Sequence, residues 1–199
     1  QEAAQARQVP GQGAGGRRRV LGYNARFFPI TAIRENPMNQ LHIFTTGGTI
    51  DKVYFDATSD FEVGEPTVEH ILREAQVNFE FKVTSLMRKD SLEIDAADRA
   101  NIREAVMASD CRHVLITHGT DTLSHTAEAL ADIKGKTIVL TGALSPARFR
   151  ATDAVFNVGL AIGALQSSTE GVFLAMNGMI FRAGEVHKNP ETKRFEQDS

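Results

Sequence analysis

The stretch Leu41-His42-Ile43-Phe44-Thr45-Thr46-Gly47-Gly48-Thr49-Ile50-Asp51 limits what this chain can fold into more than any other. A short apolar run halted by two glycines reads as a buried strand that ends in a tight turn. Glycine there lets the backbone adopt positive φ and come close to a ligand. Thr49 then stands just past a strand end, where sheets alternating with helices build their sites. Its hydroxyl is a candidate nucleophile.

From Met38 onward, strand and helix signals alternate. Pro66 and Thr67 open a predicted helix with Val68, Ile71, Leu72 and Ala75 on one face. Phe79 to Met87 alternates apolar and polar residues like a half-exposed strand. Asp95 is a good N-cap, with Asp98 in the first turn, for a helix reaching about Ala108. His113 to Thr117 and Thr137 to Thr141 read as strands buried on both faces. Thr122 to Asp132 reads as a helix, and Thr152 caps another with Val155, Val158, Gly159 and Ile162 on one stripe. Asn177-Gly178 between two apolar runs is a hairpin signal, since a type I′ turn needs positive φ at both positions. The expected fold class is α/β: a mostly parallel twisted sheet, helices on both faces, right-handed crossovers and a C-terminal hairpin.

Composition narrows the function classes. The 199 residues carry 42% hydrophobic and 24% charged residues, which suits a globular domain with a real core. A net charge of −3 gives no reason to expect a nucleic-acid or anionic-membrane partner. No apolar stretch approaches the roughly 18 residues of a membrane helix. The single cysteine, Cys111, fits a reducing compartment, and a cytoplasmic location is expected. Residues 1–37, with Gly11 to Gly16 and then Arg17-Arg18-Arg19, have little periodicity and are expected to be a disordered extension. Met38 is a plausible natural start, and a targeting peptide is the other reading of the extension. Residues 38–199 are expected to form one domain.

Two turns carry the chemistry: Thr46-Gly47-Gly48-Thr49 and Thr117-His118-Gly119-Thr120-Asp121-Thr122. In a parallel sheet both lie at the carboxyl edge and converge on one small ligand. A threonine hydroxyl attacks only when a neighbouring base or charge network activates it. Asp121 has two uses, orienting a base or binding a substrate ammonium. Backbone N–H groups in glycine turns are natural oxyanion donors. Neither turn matches the phosphate loop G-x-x-x-x-G-K-[ST], which weighs against a nucleotide site. His118, Asp121 and His125 can be drawn as metal ligands. With no Cys partner and no His-Glu-x-x-His pattern, no metal and no cofactor are expected.

Taken together, the two turns resemble the signature segments of the bacterial-type L-asparaginases. Supporting segments follow in order: Asp90-Ser91, Thr141-Gly142-Ala143, Met176-Asn177 and Val186-His187-Lys188. The resemblance covers essentially everything from Met38 on and implies the fold of the family's N-terminal domain. It implies hydrolysis of L-asparagine to aspartate and ammonia, with a homo-oligomer, dimer or tetramer, as the working form. Thr49 matches the attacking threonine, Thr120 the second catalytic threonine, and Asp121 and Lys188 the pair that polarises it. Lys188 lies twelve residues after Met176, the family's spacing. Asp90 and Ser91 match the substrate-binding segment, with Ser91 on the α-carboxylate, and Gly48 and Gly119 border the substrate. Glu93 sits where the family often has an aspartate near it. Either threonine is a candidate for the first attack; Thr49 is the one assigned.

Two departures matter. Phe61 stands where the family usually has a tyrosine and has no hydroxyl to offer. Tyr54, on the same loop, is either its substitute or a packing aromatic. The chain also resembles the short members that consist essentially of the N-terminal domain, which leaves the acidic contact that the second domain normally makes to the substrate ammonium unassigned, with a partner subunit as one source. Two other functions stay in view: an amidase preferring glutamine, and a non-catalytic sensor of the amino acid.

Overall fold

The computed structural model describes residues 38–55 and 60–198, leaving aside the side chains of 54, 55 and 60–62. The expected extension, 1–37, lies outside the described residues. Chain order begins with β1 (Gln40–Gly47), β2 (Lys52–Phe55), β3 (Asp60–Val63), α1 (Val68–Glu74), β4 (Glu80–Lys89) and α2 (Ala96–Ala108). Then come β5 (His113–Thr117), α3 (Leu123–Ala129), β6 (Thr137–Thr141) and α4 (Ala154–Ser167). The last strands are β7 (Gly171–Met176), β8 (Met179–Arg182), β9 (Val186–Lys188) and β10 (Phe195–Gln197).

Six strands form one sheet in the order β4-β1-β5-β6-β7-β8. Its neighbours are parallel except β7 and β8, which pair antiparallel through the Asn177-Gly178 turn. Asn177 at φ 53° and Gly178 at φ 80° supply the positive angles the hairpin was expected to need. Because side chains alternate across a strand, each strand feeds two cores. Leu41, Ile43, Leu115, Val139 and Phe173 face one way, against Val68, Ile71 and Leu72 of α1 and Val158 and Leu165 of α4. Phe44, Ile116, Ile138, Leu140 and Leu174 face the other, against Ile102 and Val106 of α2 and Leu123 and Ala127 of α3. Each fully buried Leu, Ile or Phe contributes roughly 1.5–3 kcal/mol, so the strand ends that carry the loops are firmly held.

The helices show where periodicity succeeds and fails. α2 begins on a reciprocal capping box, Asp95 with Asp98, and ends at Ala108 as expected. α3 ends at Ala129, short of the expected Asp132. Beyond it Leu130, Ala131 and Ile133 make tighter i→i−3 bonds, which bury both Leu130 and Ile133 before β6. In α1, Ala75 lies past the helix and is exposed, contrary to the expected stripe. On α4 the expected stripe is also displaced: Val155 and Gly159 are exposed, while Ala154, Asn157, Val158, Ala161, Ala164 and Leu165 are buried. That helix is apolar almost all round, so hydrophobic spacing alone does not choose a face. Asp153, not Thr152, occupies its N-cap position; the Thr152 hydroxyl accepts the Ala154 N–H.

Two small ribbons, β2–β3 and β10–β9, were not expected from the sequence. In the second, Val186 and Phe195 sink into the core beneath α2 and α3 and fix the position of Lys188.

Candidate functional site

Three loops meet where β4, β1 and β5 end side by side. All three strands are parallel, so their carboxyl ends share one edge. The Thr46 hydroxyl donates to the Thr117 carbonyl at 3.1 Å and ties the first turn to the third. Gly48 has φ 83°, where a side chain is strained, and its N–H donates to the Lys89 carbonyl at 3.0 Å. A Cβ on Gly48 would sit 2.5 Å from the Gly119 Cα; one on Gly119 would sit 2.6 Å from the Ser91 Cβ. The turns bearing Thr49, Thr120 and Ser91 therefore touch backbone to backbone.

Thr49 is half-buried and opens a 3-10 turn, Thr49–Asp51. Asp51 is 2% exposed, and its Oδ1 accepts both the N–H and the hydroxyl of Thr67 at 2.8 Å. Burial pushes the Asp51 carboxyl above the ordinary carboxylate range, with the Thr67 donors opposing the shift. Its neighbour is bonded as well: Lys52 Nζ donates to Asp90 Oδ2 at 2.8 Å.

Asp90 caps a second 3-10 turn, Ser91–Glu93, with its Oδ1 accepting the Leu92 N–H. The hydrogen bond from Lys52 holds its carboxyl below the usual range. Glu93 is exposed, and its carboxylate accepts the Asp90 N–H, completing a capping box. Ser91 is 1% exposed; its Oγ accepts the Asp121 N–H at 3.3 Å, and its carbonyl accepts the Thr122 hydroxyl at 2.7 Å. Thr122, at the end of the second turn and the start of the expected helix, thus binds the Ser91 turn to the Thr120 turn.

Lys188 comes in from β9. Its Nζ donates to Thr120 Oγ1 at 2.8 Å and to Asp121 Oδ1 at 2.7 Å. The lysine side chain is 13% exposed against 50% for Asp121, so solvent reaches the group from the aspartate side. His118 lies behind it, fully buried. Its Nδ1 donates to the Gly119 carbonyl and its Nε2 accepts from the Thr126 hydroxyl, leaving a neutral ring with no free nitrogen. Burial lowers its pKa to about 4; the Gly119 contact opposes the shift and the Arg99 charge adds to it.

The structure therefore brings together Thr120, Asp121 and Lys188, and joins Gly48, Gly119, Asp90, Ser91 and Thr49 through adjoining turns. Tyr54 is the remaining candidate. Its backbone pairs with Phe61 across the β2–β3 ribbon, and its side chain lies outside the described residues. Among the described residues, no group of three His, Cys, Asp or Glu is placed to hold a metal ion. Surface cavities of about 350 Å³, bordered by Asn39 and Phe79, and about 220 Å³, bordered by His125 and His187, lie outside this cluster.

The family model for the asparaginase N-terminal domain matches residues 40–196. The chain belongs to the asparaginase family. It is 30% identical over 165 residues to a glutaminase-asparaginase of Acinetobacter glutaminasificans, covering 75% of this chain and 50% of that one. It is 30% identical over 168 residues to L-asparaginase 2 of Escherichia coli, covering 75% and 46%. Among solved structures, the thermostable L-asparaginase from Thermococcus kodakarensis superposes with a TM-score of 0.69 at 25% identity, covering 79% of this chain and 51% of that one. The chain spans about half the length of the curated asparaginase relatives it matches. Among the described residues, no helix is long and apolar enough to cross a membrane.

Proposed function

We propose that this protein hydrolyses the side-chain amide of L-asparagine to L-aspartate and ammonia, with Thr49 as nucleophile. One observation carries the reading above all: the Lys188 ammonium within hydrogen-bond reach of both Thr120 and Asp121, one turn away from Thr49. A pocket that only bound an amino acid would have no need of a half-buried lysine on a buried hydroxyl.

In the proposed sequence, Thr49 Oγ attacks the amide carbon and its proton passes toward the leaving nitrogen. Backbone N–H groups of the glycine turns hold the oxyanion, the C–N bond breaks, and ammonia departs from a threonyl ester. Water then attacks the ester carbon, releasing aspartate and returning the proton to Thr49. Lys188 donates to Thr120 Oγ1, so the hydrogen of Thr120 points elsewhere, toward the site. With Lys188 as the neutral amine, the Thr120 hydroxyl gives its proton to Nζ, which reverses that bond, and Asp121 holds the ammonium so formed. Ser91 and Gly119 take the α-carboxylate and Asp121 the α-ammonium. The pairing of Tyr54 with Phe61 sets the two positions side by side, which supports Tyr54 as the hydroxyl Phe61 lacks.

Glutamine is a second reading, favoured by the relative named a glutaminase-asparaginase. One methylene is worth only about 1–3 kcal/mol of discrimination. Ammonia release from L-asparagine and L-glutamine by the intact chain and by Thr49→Ala tests both. Release that vanishes in Thr49→Ala supports the reading. Release that persists transfers the attack to Thr120. Binding of asparagine without any release makes the protein a sensor.

A further inference from the structure

We infer that Asp51 is a positioning residue for Thr49, its carboxylate fastening the nucleophile's turn to Thr67 at the start of α1. The inference rests on the reading of Thr49 proposed above and adds a residue that the reaction itself does not use. Thr49 belongs to a 3-10 turn of three residues, closed by bonds from Asp51 N–H to the Gly48 carbonyl at 3.1 Å and from Lys52 N–H to the Thr49 carbonyl. So short a turn does not hold itself in water. Its geometry must come from outside.

The outside contacts converge on the residues just after Thr49. Thr67 gives its N–H to Asp51 Oδ1 at 2.8 Å, and its hydroxyl lies 2.8 Å from the same oxygen and 3.0 Å from the Ile50 carbonyl. Gly64 N–H donates to the Asp51 carbonyl at 2.8 Å, and Ala147 N–H to that of Ile50 at 3.1 Å. Ile50 itself is fully buried. Ile50 packs in the core with α1, while the Asp51 carboxylate is the side chain of the turn that makes these hydrogen bonds to Thr67. Water is almost excluded from it, and a buried carboxylate is expensive unless its bonds return something. An apolar side chain would fill the place more cheaply. What only an acceptor gives is direction: two donors on one oxygen fix the orientation of the backbone two residues from the attacking hydroxyl. Misplacing a reacting group by about 1 Å can cost on the order of 10²-fold in rate.

The test compares the full chain with Asp51→Ala, Asp51→Asn, Thr67→Val and Thr67→Ser, using kcat and KM for ammonia release and amide hydrogen exchange at residues 49–51. We expect Asp51→Ala and Thr67→Val to lower kcat by roughly tenfold or more, with KM changed by less than about threefold. Asp51→Asn and Thr67→Ser keep the acceptor and donor and should retain most of kcat. Exchange at residues 49–51 should quicken in the first pair only. A folded Asp51→Ala with unchanged kcat, or unchanged exchange at 49–51, overturns the inference. If Asp51→Ala does not fold, Thr67→Val decides by the same readings. If the unmodified chain releases no ammonia, or Thr49→Ala still does, the reading of Thr49 falls instead. The exchange data then still decide whether Asp51 holds the turn.

Discussion

Lys188 Nζ rests 2.8 Å from Thr120 Oγ1 although 68 positions separate the two in sequence. A bond so long-range, made by a lysine that is 13% exposed, has been built in by the whole β9–β10 ribbon. Replacing Lys188 by Met keeps the aliphatic stem and removes the ammonium. Turnover should fall by about 10²–10⁴-fold, the usual share of a proton-transfer group. The melting temperature should change little, because Asp121 stays half-exposed and solvated. Steady-state ammonia release alongside a thermal melt checks both.

Gly119→Ala should be costly without any backbone strain. The new Cβ would lie 2.6 Å from Ser91 Cβ and 2.7 Å from Ser91 Oγ. Ser91 cannot retreat easily, being buried and bound through its carbonyl to Thr122. A loss of about 1–3 kcal/mol is expected from such overpacking. KM for asparagine should rise as Ser91 shifts. Urea unfolding and a KM measurement read the two effects separately.

Acid should unfold the protein partly through its buried histidines. His118 titrates at about 4 in the folded chain and near 6.5 when unfolded. Between those values the unfolded chain holds more protons, so stability rises with pH. The contribution is complete above about pH 6.5 and lost by about pH 4. For His118 it amounts to roughly 3 kcal/mol. His42, held between Ser109 and Thr84 and likewise lowered to about 4 by burial with Lys82 and Lys136 nearby, acts in the same direction. His118→Gln should flatten the slope of unfolding free energy between pH 4 and 6.5, as measured by urea titrations across that range.

Lys52→Met should barely alter global stability, since its pair with Asp90 is 25% and 35% exposed and worth at most about 1 kcal/mol. The effect belongs to Asp90. Its carboxyl, held low by Lys52, should titrate higher in the variant. The small stability it gives is present above the ordinary carboxylate pKa and lost as pH falls through its depressed one. A carboxyl-carbon NMR titration of Asp90 reads this directly.

Much of this architecture could be read from residue order. The buried strands ending in Thr46 and Thr117 announced parallel neighbours, and the Asn177-Gly178 pair announced the hairpin. Thr120, Asp121 and Lys188 were legible through motif and spacing, and the fold brings them into bonding distance. The buried face of α4 was not legible, because a helix apolar on every side leaves the choice to tertiary packing. The partners of Asp51 and Lys52 were not legible for a related reason: only the folded chain shows Asp51 taken by Thr67 and Lys52 by Asp90. A carboxylate beside a glycine turn with a threonine shortly before a helix was the available signal.

The order in which the site's parts leave the ribosome follows from the placement of β9. A nascent chain that has emerged through β8 already contains both hydroxyls, the glycine turns and the six strands of the sheet. It does not yet contain the cation. The domain can thus acquire its main sheet before the Lys188 ammonium joins Thr120 and Asp121. Under the role proposed for Lys188, competence would arrive with the closing ribbon, a long-range closure of the kind that forms late.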